Sequence, residues 1–414
     1  MNSFTLLFIL LLSLSIITHL YLDWRQARAI RSHRTAVPQP FSDKIELAAH
    51  HKAADYNLAK GRLGRLELVV DTLLLLLWTL AGGLELLDQL WRHSALAPLW
   101  QGTAVIISFM LIGALLALPF SLYRTFILEQ RFGFNQTTPA TFIKDIFIQL
   151  LLTLIIGVPF IALILWLMQN SGANWWLWVW GSWLSFSLLM LWGYPRFIAP
   201  LFNKFTPLDN PDLVSRIETL LKKCGFTTGG LFVMDGSKRS RHGNAYFSGL
   251  GKEKRIIFFD TLLNELTSDE IEAVLAHELG HFHHHHIPKR ILLMAVIALA
   301  ALATLAWLIE MSWFYTGLGV STPSNHMALL LFMLTLPLVT LFLQPLMALS
   351  SRRHEFEADQ FAASVASADR LISALVKLYR DNASTLTPDE LHSAFYDSHP
   401  PAAIRIARLQ QHLS

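Results

Sequence analysis

The stretch from residue 102 to residue 124, GTAVIISFMLIGALLALPFSLYR, decides the fold class. Its one charged side chain is Arg124 at the very end, and about 20 apolar residues are enough for a helix to cross the hydrocarbon of a bilayer. The whole chain shares this bias, with 53% hydrophobic and 15% charged residues, against roughly 25% charged residues in soluble proteins. We therefore expect an integral membrane protein embedded in a lipid bilayer. The composition excludes a disordered, a collagenous or a nucleic-acid-wrapping protein.

The same length criterion predicts seven transmembrane helices in this chain of 414 residues. They lie at 4–22, 66–88, 102–124, 146–168, 175–195, 291–311 and 327–349. The first has no Lys or Arg before it and no cleavage-site pattern after it, so we interpret it as a retained anchor rather than a signal peptide. The second is the least clean, because Asp71 and Glu85 lie near its ends.

Positive charges are distributed very unevenly around these spans. All but one of the 33 Lys and Arg residues lie in four segments, 23–65, 124–145, 196–290 and 351–414. Only Arg92 lies elsewhere. Because Lys and Arg are enriched in cytoplasmic loops, alternating crossings place the N-terminus outside and these four segments in the cytoplasm.

We therefore divide the chain into four parts. They are a membrane region of five spans (1–195), a cytoplasmic segment (196–290), spans six and seven (291–349) and a C-terminal cytoplasmic segment (350–414). The cytoplasmic segments predict a mainly α-helical domain with a small β-sheet. Strands are expected at Leu231–Met234, Ala245–Ser248 and Arg255–Phe259, and helices at about 212–224, 352–366, 368–381 and 401–413.

A helix that begins near Ser268 carries the central motif of the chain. Thr267 and Glu270 have the spacing of a capping box, in which each side chain satisfies a free backbone N–H of the other residue. We expect this helix to run toward His286, with Pro288 marking its end or a kink.

Residues 277–281, His-Glu-Leu-Gly-His, lie on that helix and predict a metal site. His277 and His281 are four residues apart and share a face, so both imidazoles can bind one metal ion. Glu278 lies about 100° round the helix, where it can take a proton from a metal-bound water. Since a catalytic zinc ion takes three protein ligands, we expect one Zn²⁺ per chain, with Glu355 as third ligand. Asp359, one turn later, is placed to accept the second N–H of a ligand histidine.

The location of these ligands indicates the kind of substrate. His281 lies nine residues before Arg290, or about 14 Å along a helix, and Glu355 follows the last predicted span closely. Both ligand helices should therefore continue membrane spans, and the zinc ion should lie at the cytoplasmic rim of the bilayer. Such a site suits a membrane-tethered peptide or protein. The four histidines at 283–286 are interpreted as a polar helix end rather than as a second metal site.

Six segments, in order along the chain, resemble the zinc CAAX prenyl proteases, a family of seven-span membrane metallopeptidases. They are 129–135, 198–207, 235–247, 277–281, 355–359 and 398–401. The resemblance covers essentially the whole chain. It implies a ring of seven helices around a water-filled chamber that the zinc domain closes at the cytoplasmic end. It also implies endoproteolysis near the C-terminus of peptides, beside a prenylated cysteine in eukaryotes.

The resemblance also implies roles for individual residues. It assigns the same zinc ligands, His277, His281 and Glu355, and the same general base, Glu278, that the spacing of the motif predicts. It adds Asn244 as a residue that aligns the substrate backbone by strand addition. His399 and Arg405 match residues that approach the scissile peptide, and His399 is a candidate for stabilising the tetrahedral oxyanion.

The substrate and the source membrane stay open at this point. The loop 312–326 is short and the chain shows no ER retrieval tail, which favours a bacterial inner-membrane protein over one of the ER. Quality control of membrane proteins, without a requirement for prenylation, is then an alternative function.

Three other classes fit the pattern less well. A zinc transporter would place ionisable residues inside spans, whereas Glu278 and Glu355 lie beyond span ends. An intramembrane-cleaving protease would carry 277–281 within an apolar run, but acidic residues precede this motif and histidines follow it. The intact Glu278 disfavours a non-catalytic scaffold.

Overall fold

The computed structural model describes residues 2–248 and 254–411. Helices form nearly all of the first half of the chain. They are α1 (Ser3–Ser32), α2 (Leu47–Trp78), α3 (Gly83–Arg92), α4 (Pro98–Tyr123), α5 (Pro139–Leu152), α6 (Val158–Asn170) and α7 (Trp175–Gly193). Turns of π-helix continue α4, join α5 to α6 and continue α7, at Arg124–Glu129, Thr153–Gly157 and Tyr194–Ile198.

The second half alternates between helices of the soluble part and helices of the membrane bundle. The helices are α8 (Ala199–Phe202), α9 (Pro211–Lys223), α10 (Asp260–Glu265), α11 (Ser268–His283), α12 (His286–Leu308), α13 (Ser312–Thr316), α14 (Asn325–Thr340), α15 (Gln344–Val365), α16 (Ala368–Asp381), α17 (Glu390–Tyr396) and α18 (Ala402–Gln410). The last two residues of the helix predicted at 401–413 lie outside the described residues.

The predicted number of seven spans is too high by the criterion of length and hydropathy. In the described part of the chain, five continuous helices meet this criterion, or six if α2 and α3 count as one bent span. The predicted span 66–88 is broken, because α2 ends at Trp78 and α3 begins at Gly83 at an angle of 50°. Gly82 makes this bend possible with a φ of 80°. The predicted span at 175–195 corresponds to α7, which does not meet the criterion. Its many tryptophans carry polar indole N–H groups that suit the membrane interface.

The membrane bundle is packed tightly at one end. There the N-terminal parts of α1, α4 and α14, the C-terminal part of α12 and the short helices α3 and α13 share one hydrophobic core. The five buried residues of α4 lie between Gly102 and Ile107, and α5 buries none. Little packing along the rest of these helices is expected when helices surround an internal space. The chamber that the resemblance implies stays a prediction.

A four-stranded sheet lies in the soluble part. Its strands are β1 (Phe205–Pro207), β2 (Leu231–Met234), β3 (Ala245–Ser248) and β4 (Arg255–Phe259). The order is β1-β2-β4-β3, with β2 and β4 parallel and the other two pairs antiparallel. The three predicted strands are confirmed, and β3 lies at an edge of the sheet. β1 was not predicted, because three residues that end in a proline show no alternating pattern.

A second hydrophobic core holds the soluble part together. The helices α9, α11, α16 and α18 pack with β4 around it. In α11, the buried residues Ile271, Leu275 and Leu279 recur every four positions and therefore share one face. Because that face contacts the core, His277, Gly280 and His281, which lie on another face of the helix, contact α15.

Candidate metal centre

The helix α11 begins as the sequence predicts and ends earlier. The Thr267 hydroxyl accepts from the backbone N–H of Glu270, and the Glu270 carboxylate accepts from the N–H of Thr267, so the capping box is present. The helix then stops at His283, and His285 takes a φ of 57° before α12 begins. The predicted break at Pro288 is thus wrong by a few residues. Pro288 lies in the first turn of α12, where its missing N–H leaves no hydrogen bond unmade.

The helices α11 and α15 cross closely at Gly280. A Cβ atom at this position would lie 2.8 Å from the Cα atom of Ala358 and 3.0 Å from its carbonyl oxygen. Only glycine leaves room for this contact. The crossing brings Glu355 and Asp359, which flank Ala358, against the histidines of α11. No role was predicted for Gly280, although a glycine inside a helix, between two expected ligands, can indicate a close approach of another segment.

Three expected ligands converge at this crossing. One ligand atom from each of His277, His281 and Glu355 lies within 4.8 Å of the other two. The Nε2 atoms of His277 and His281 lie 3.4 Å and 3.3 Å from the two carboxylate oxygens of Glu355. The Glu355 Oε2 atom is buried and has no hydrogen bond to the described residues. Such an atom is costly to bury without a hydrogen bond, and the Arg405 guanidinium, 3.4 Å away, forms an ion pair with it but no hydrogen bond. Two imidazoles with one carboxylate form a known donor set for catalytic zinc. These residues therefore fit a zinc ion.

His277 is held from behind by a carboxylate and a guanidinium. Its Nδ1 atom lies 2.9 Å from an Asp359 oxygen, where the sequence places this aspartate. Arg405 donates to both oxygens of Asp359, at 2.8 Å and 2.6 Å. Burial disfavours the charged imidazolium, but the bonds to Asp359 and Glu355 outweigh it and raise the pKa of His277 to about 9. A metal ion that binds here must displace this proton.

His281 has a different partner, which the sequence did not reveal. Its Nδ1 atom lies 2.9 Å from Nδ1 of His286, and the Nε2 atom of His286 lies 2.8 Å from a Glu357 oxygen. His286 is buried, and its ring stacks on His354 with 4.0 Å between centroids. Helical periodicity cannot find this contact, because His286 comes after the turn at His285. Among the described residues, no second group of three metal-binding side chains converges. The interpretation of residues 283–286 as a polar helix end is therefore corrected only at His286, which is buried and contacts a ligand histidine.

The other expected site residues line one small cavity beside the ligands. Asn244, Glu278, His399 and Arg405 all contact this cavity of about 290 Å³. His399 is exposed and its Nε2 atom lies 3.4 Å from a Glu355 oxygen. Arg405 is 5% exposed, so it lies mainly among the carboxylates, and its expected approach to substrate stays a prediction.

The segment before β3 is fixed by contacts that the sequence did not predict. The Asn382 side-chain oxygen accepts from the Gly243 N–H at 3.2 Å and lies 3.1 Å from Nδ1 of His242. The other side of the His242 ring lies 3.7 Å from Glu129, which also accepts from Tyr56. Through these contacts the membrane helices and the C-terminal segment hold Asn244 in place directly before the start of the edge strand.

The chain is similar along its length to known membrane proteases. A family model described as CAAX prenyl protease N-terminal, five membrane helices, matches residues 26–204, and one for peptidase family M48 matches residues 207–413. A CAAX prenyl protease 1 homolog from Oryza sativa subsp. japonica is 33% identical over 401 residues, which cover 94% of this chain and 93% of the relative. CAAX prenyl protease 1 from Saccharomyces cerevisiae is 32% identical over 415 residues, 94% of this chain and 91% of the relative.

The fold has a solved counterpart. The crystal structure of S. mikatae Ste24p superposes with a TM-score of 0.90 at 30% identity, covering 99% of each chain. The two family models meet between residues 204 and 207, so the membrane helices from α2 onward and the converging His-His-Glu group each fall within a matched region. This chain therefore belongs to peptidase family M48 and is an integral, multi-pass membrane protein that acts as a zinc endopeptidase.

Proposed function

We propose that this protein cleaves a peptide bond near the C-terminus of membrane-tethered substrates, including prenylated CAAX-type peptides. The observation that carries this proposal is the position of Glu278 in one cavity with Asn244 and His399, beside the converging ligand atoms. The names of the relatives support the class of substrate. The continuity of α14 and α15, which form one long helix whose apolar part precedes Glu355, supports a site at the membrane surface.

The chain's own residues divide the chemistry among them. His277, His281 and Glu355 would hold one Zn²⁺, which when bound polarises the scissile carbonyl and acidifies a water molecule. Glu278 takes the proton of the attacking water and passes it to the leaving amine. His399, close to Glu355 and open to the cavity, donates to the oxyanion that develops on the carbonyl oxygen.

The edge strand orients the substrate in this proposal. β3 pairs with β4 on one side only, so its other side can accept an extended peptide by strand addition. Asn244, directly before this strand, aligns the substrate backbone, and Arg405, which lines the same cavity, lies within reach of the peptide. The distribution of Lys and Arg supports a cytoplasmic catalytic face with the N-terminus outside. The short loop at 312–326 favours a bacterial inner membrane over the ER.

Cleavage of matched peptides tests the substrate and the general base together. Purified zinc-loaded protein is given a farnesylated CAAX peptide and the same peptide without lipid, and the Glu278→Ala variant is run beside it. We expect cleavage that needs both the lipid and Glu278, with zinc content unchanged in the variant. Removal of a general base typically costs about 10²- to 10⁴-fold in rate.

Other outcomes would change the proposal in defined ways. Cleavage that needs Glu278 but not the lipid would move the substrate class toward general turnover of membrane proteins. A Glu278→Ala variant that cleaves as fast as the wild type would remove Glu278 from the role of base. Full zinc retention by Glu355→Ala would remove Glu355 as third ligand.

A further inference from the structure

A second cavity next to the metal centre has a positive lining. It measures about 520 Å³ and lies between the start of α12, the first half of α15 and the segment after α17. Lys289, Arg290 and His354 line it, together with the hydroxyl groups of Ser351 and Ser398. No Asp or Glu is among the described residues that line it. The cavity therefore offers cations and hydrogen-bond donors to an anion.

The two cations of this cavity have no ion-pair or hydrogen-bond partner for their side chains in the described part of the chain. Lys289 and Arg290 are both exposed, and neither forms an ion pair or a side-chain hydrogen bond with the residues from 2 to 248 and from 254 to 411. Both lie in the second turn of α12, near the positive end of the helix dipole, where additional positive charge is unfavourable. An anion bound in the cavity would offset both the mutual repulsion of the cations and the unfavourable dipole.

The cavity lies within a short peptide's reach of the metal ligands. The His354 ring is 4.0 Å from that of His286, which is 5.1 Å from that of His281, so His354 lies at most about 9 Å from this ligand. On the other wall, Ser398 directly precedes His399. Three extended residues span about 10 Å. A peptide cut three residues from its C-terminus is therefore long enough for its free end to reach this cavity.

Lipid phosphate is the ordinary partner for cations at the end of a membrane span. The composition of the walls disfavours this partner here. Phe395, Tyr396 and Ser398 belong to the C-terminal segment, and they line the same cavity as Lys289 and Arg290. The cations thus lie between a membrane helix and the peptidase part rather than on a helix surface that faces only lipid.

We propose that Lys289 and Arg290 bind the free C-terminal carboxylate of the substrate and so set the distance between that end and the scissile bond. This inference rests on the proposed function and adds a determinant of cleavage position to it. The carboxylate accepts charge-assisted hydrogen bonds from the two cations, with the hydroxyl groups of Ser351 and Ser398 as further donors.

Peptide binding separates this inference from catalysis. The zinc-loaded Glu278→Ala protein is titrated with a farnesylated CAAX peptide that ends in a free carboxylate and with the same peptide ending in a carboxamide. We expect the free acid to bind about tenfold more tightly or better, as is typical when a charged hydrogen-bond partner is retained. Adding Lys289→Gln or Arg290→Gln should weaken binding of the acid and leave binding of the amide unchanged.

A lysine remote from the cavity provides the control. Lys222 is exposed on α9 and lines none of the cavities described here, so Lys222→Gln should keep the full preference for the acid. Equal affinity of the two peptides for the parent protein would overturn the inference. So would an equal loss for both peptides in the Lys289 and Arg290 variants.

The lipid alternative has its own signature. In that case, vesicles of phosphatidylglycerol, but not of phosphatidylcholine, would bind the parent protein, and this binding would be lost in Lys289→Gln and Arg290→Gln. If the two peptides also bind with equal affinity, the cations bind a lipid headgroup and the inference is wrong. Failure of the proposed function looks different, because zinc-loaded wild-type protein would then cleave neither peptide, whatever their relative affinities.

Discussion

The two ligand histidines are oriented by different side chains. His277 contacts the carboxylate of Asp359 directly, whereas His281 reaches the carboxylate of Glu357 only through the imidazole of His286. In both cases the ring nitrogen opposite the metal has a partner, which fixes the ring and leaves Nε2 free to bind zinc. The second arrangement depends on His286, because no carboxylate contacts His281 Nδ1 directly among the described residues.

Removal of His286 should therefore weaken zinc binding without removing a ligand. We expect His286→Ala to lower zinc affinity by about 10- to 100-fold, as is usual when the partner of a ligand is lost. Competition with a chelator of known affinity measures this change. His283→Ala is the matched control, since this exposed histidine stacks on Phe361 and makes no contact with a ligand. An affinity within twofold of the wild type in His286→Ala would contradict the prediction.

Arg405 offers a test between two roles. Its buried guanidinium lies against Asp359 and Glu355, and its loss would leave two buried carboxylates without this cation. We expect Arg405→Met to lower the free energy of unfolding by about 3–5 kcal/mol, which thermal unfolding in detergent would detect as a lower midpoint. An unchanged midpoint together with a raised KM would instead favour the substrate-binding role that the resemblance implies.

The sequence allowed only part of the metal centre to be predicted. The spacing of His277, Glu278 and His281 on one helix, and of Glu355 and Asp359 on another, follows from helical geometry and was therefore predictable. His286 and Asn382 were not, because their contacts depend on a turn between helices and on how distant segments pack. No periodic pattern encodes such contacts.

At the scale of helices, the close crossing of α11 and α15 controls the site. Gly280→Ala would place a methyl group 2.8 Å from the backbone of Ala358, so the helices must separate. Overpacking of this kind costs about 1–3 kcal/mol, and the separation should also reduce zinc content, measured as bound metal per chain. Gly64→Ala is the control, because Gly64 is helical and has nothing within 4 Å of an added Cβ atom. There alanine should be neutral or stabilising. Normal zinc content in Gly280→Ala would show that the crossing can relax without disturbing the ligands.

The Glu270 carboxylate at the start of α11 should make the free energy of unfolding depend on pH in the acid range. Burial disfavours ionisation of Glu270, but hydrogen bonds from Lys377, Ser373 and Thr267 outweigh it and lower the pKa from 4.5 to about 2. A carboxylate whose pKa is lower in the folded state stabilises that state above its ordinary pKa and loses this effect as the pH falls. The stabilisation should therefore be complete above about pH 4.5 and decline from there toward pH 2.

Glu270→Gln tests this pH dependence, because glutamine can still accept in the capping box but does not titrate. We expect the variant to unfold at lower temperature than the wild type at pH 7, and the difference to shrink as the pH is lowered from 5 to 3. Circular dichroism in detergent measures both midpoints. A difference that stays constant over this range would exclude Glu270 as the titrating group.

Elements with strong local patterns were predicted well, and those set by packing were not. The three strands and the helix α16 match the predicted bounds, since short runs rich in aromatic and aliphatic residues define the strands and an amphipathic period defines the helix. The strand β1, the break between α2 and α3 and the turn at His285 depend on neighbouring segments and on left-handed backbone at single residues. The span count erred partly for the same reason, because a hydropathy pattern does not show where a long apolar helix is bent, and partly because the tryptophans of α7 lower its hydropathy.

On the scale of the whole molecule, the structure has two main cores. One joins the helices at the end of the bundle that includes α3 and α13, and the other lies in the peptidase part around α11. Long helices with few buried residues connect them. Because the two cores share no residues, changes in one should act on stability independently of the other, and the metal centre should depend on the peptidase core alone.

A buried ion pair at the far end of the bundle tests this independence. Asp88 of α3 is 1% exposed and lies 2.6 Å from Nε2 of His326 in α14, with Arg92 as a second partner. Asp88→Ala leaves His326 without its carboxylate and should destabilise the bundle by about 3–5 kcal/mol, the usual effect of breaking a buried pair. Zinc affinity, measured by chelator competition, should stay within twofold of the wild type.

A double variant, with Asp88→Ala and a second change in the peptidase core, tests whether the two cores contribute independently to stability. Ile217 is fully buried around α11, and Ile217→Val should cost about 0.5–1.5 kcal/mol. Because Asp88 and Ile217 belong to separate cores, the double variant should lose the sum of the two single effects within about 0.5 kcal/mol. A larger deviation, or a loss of zinc in Asp88→Ala, would mean that the connecting helices transmit strain from the far end of the bundle to the metal centre. The membrane helices would then be part of the catalytic apparatus rather than its support.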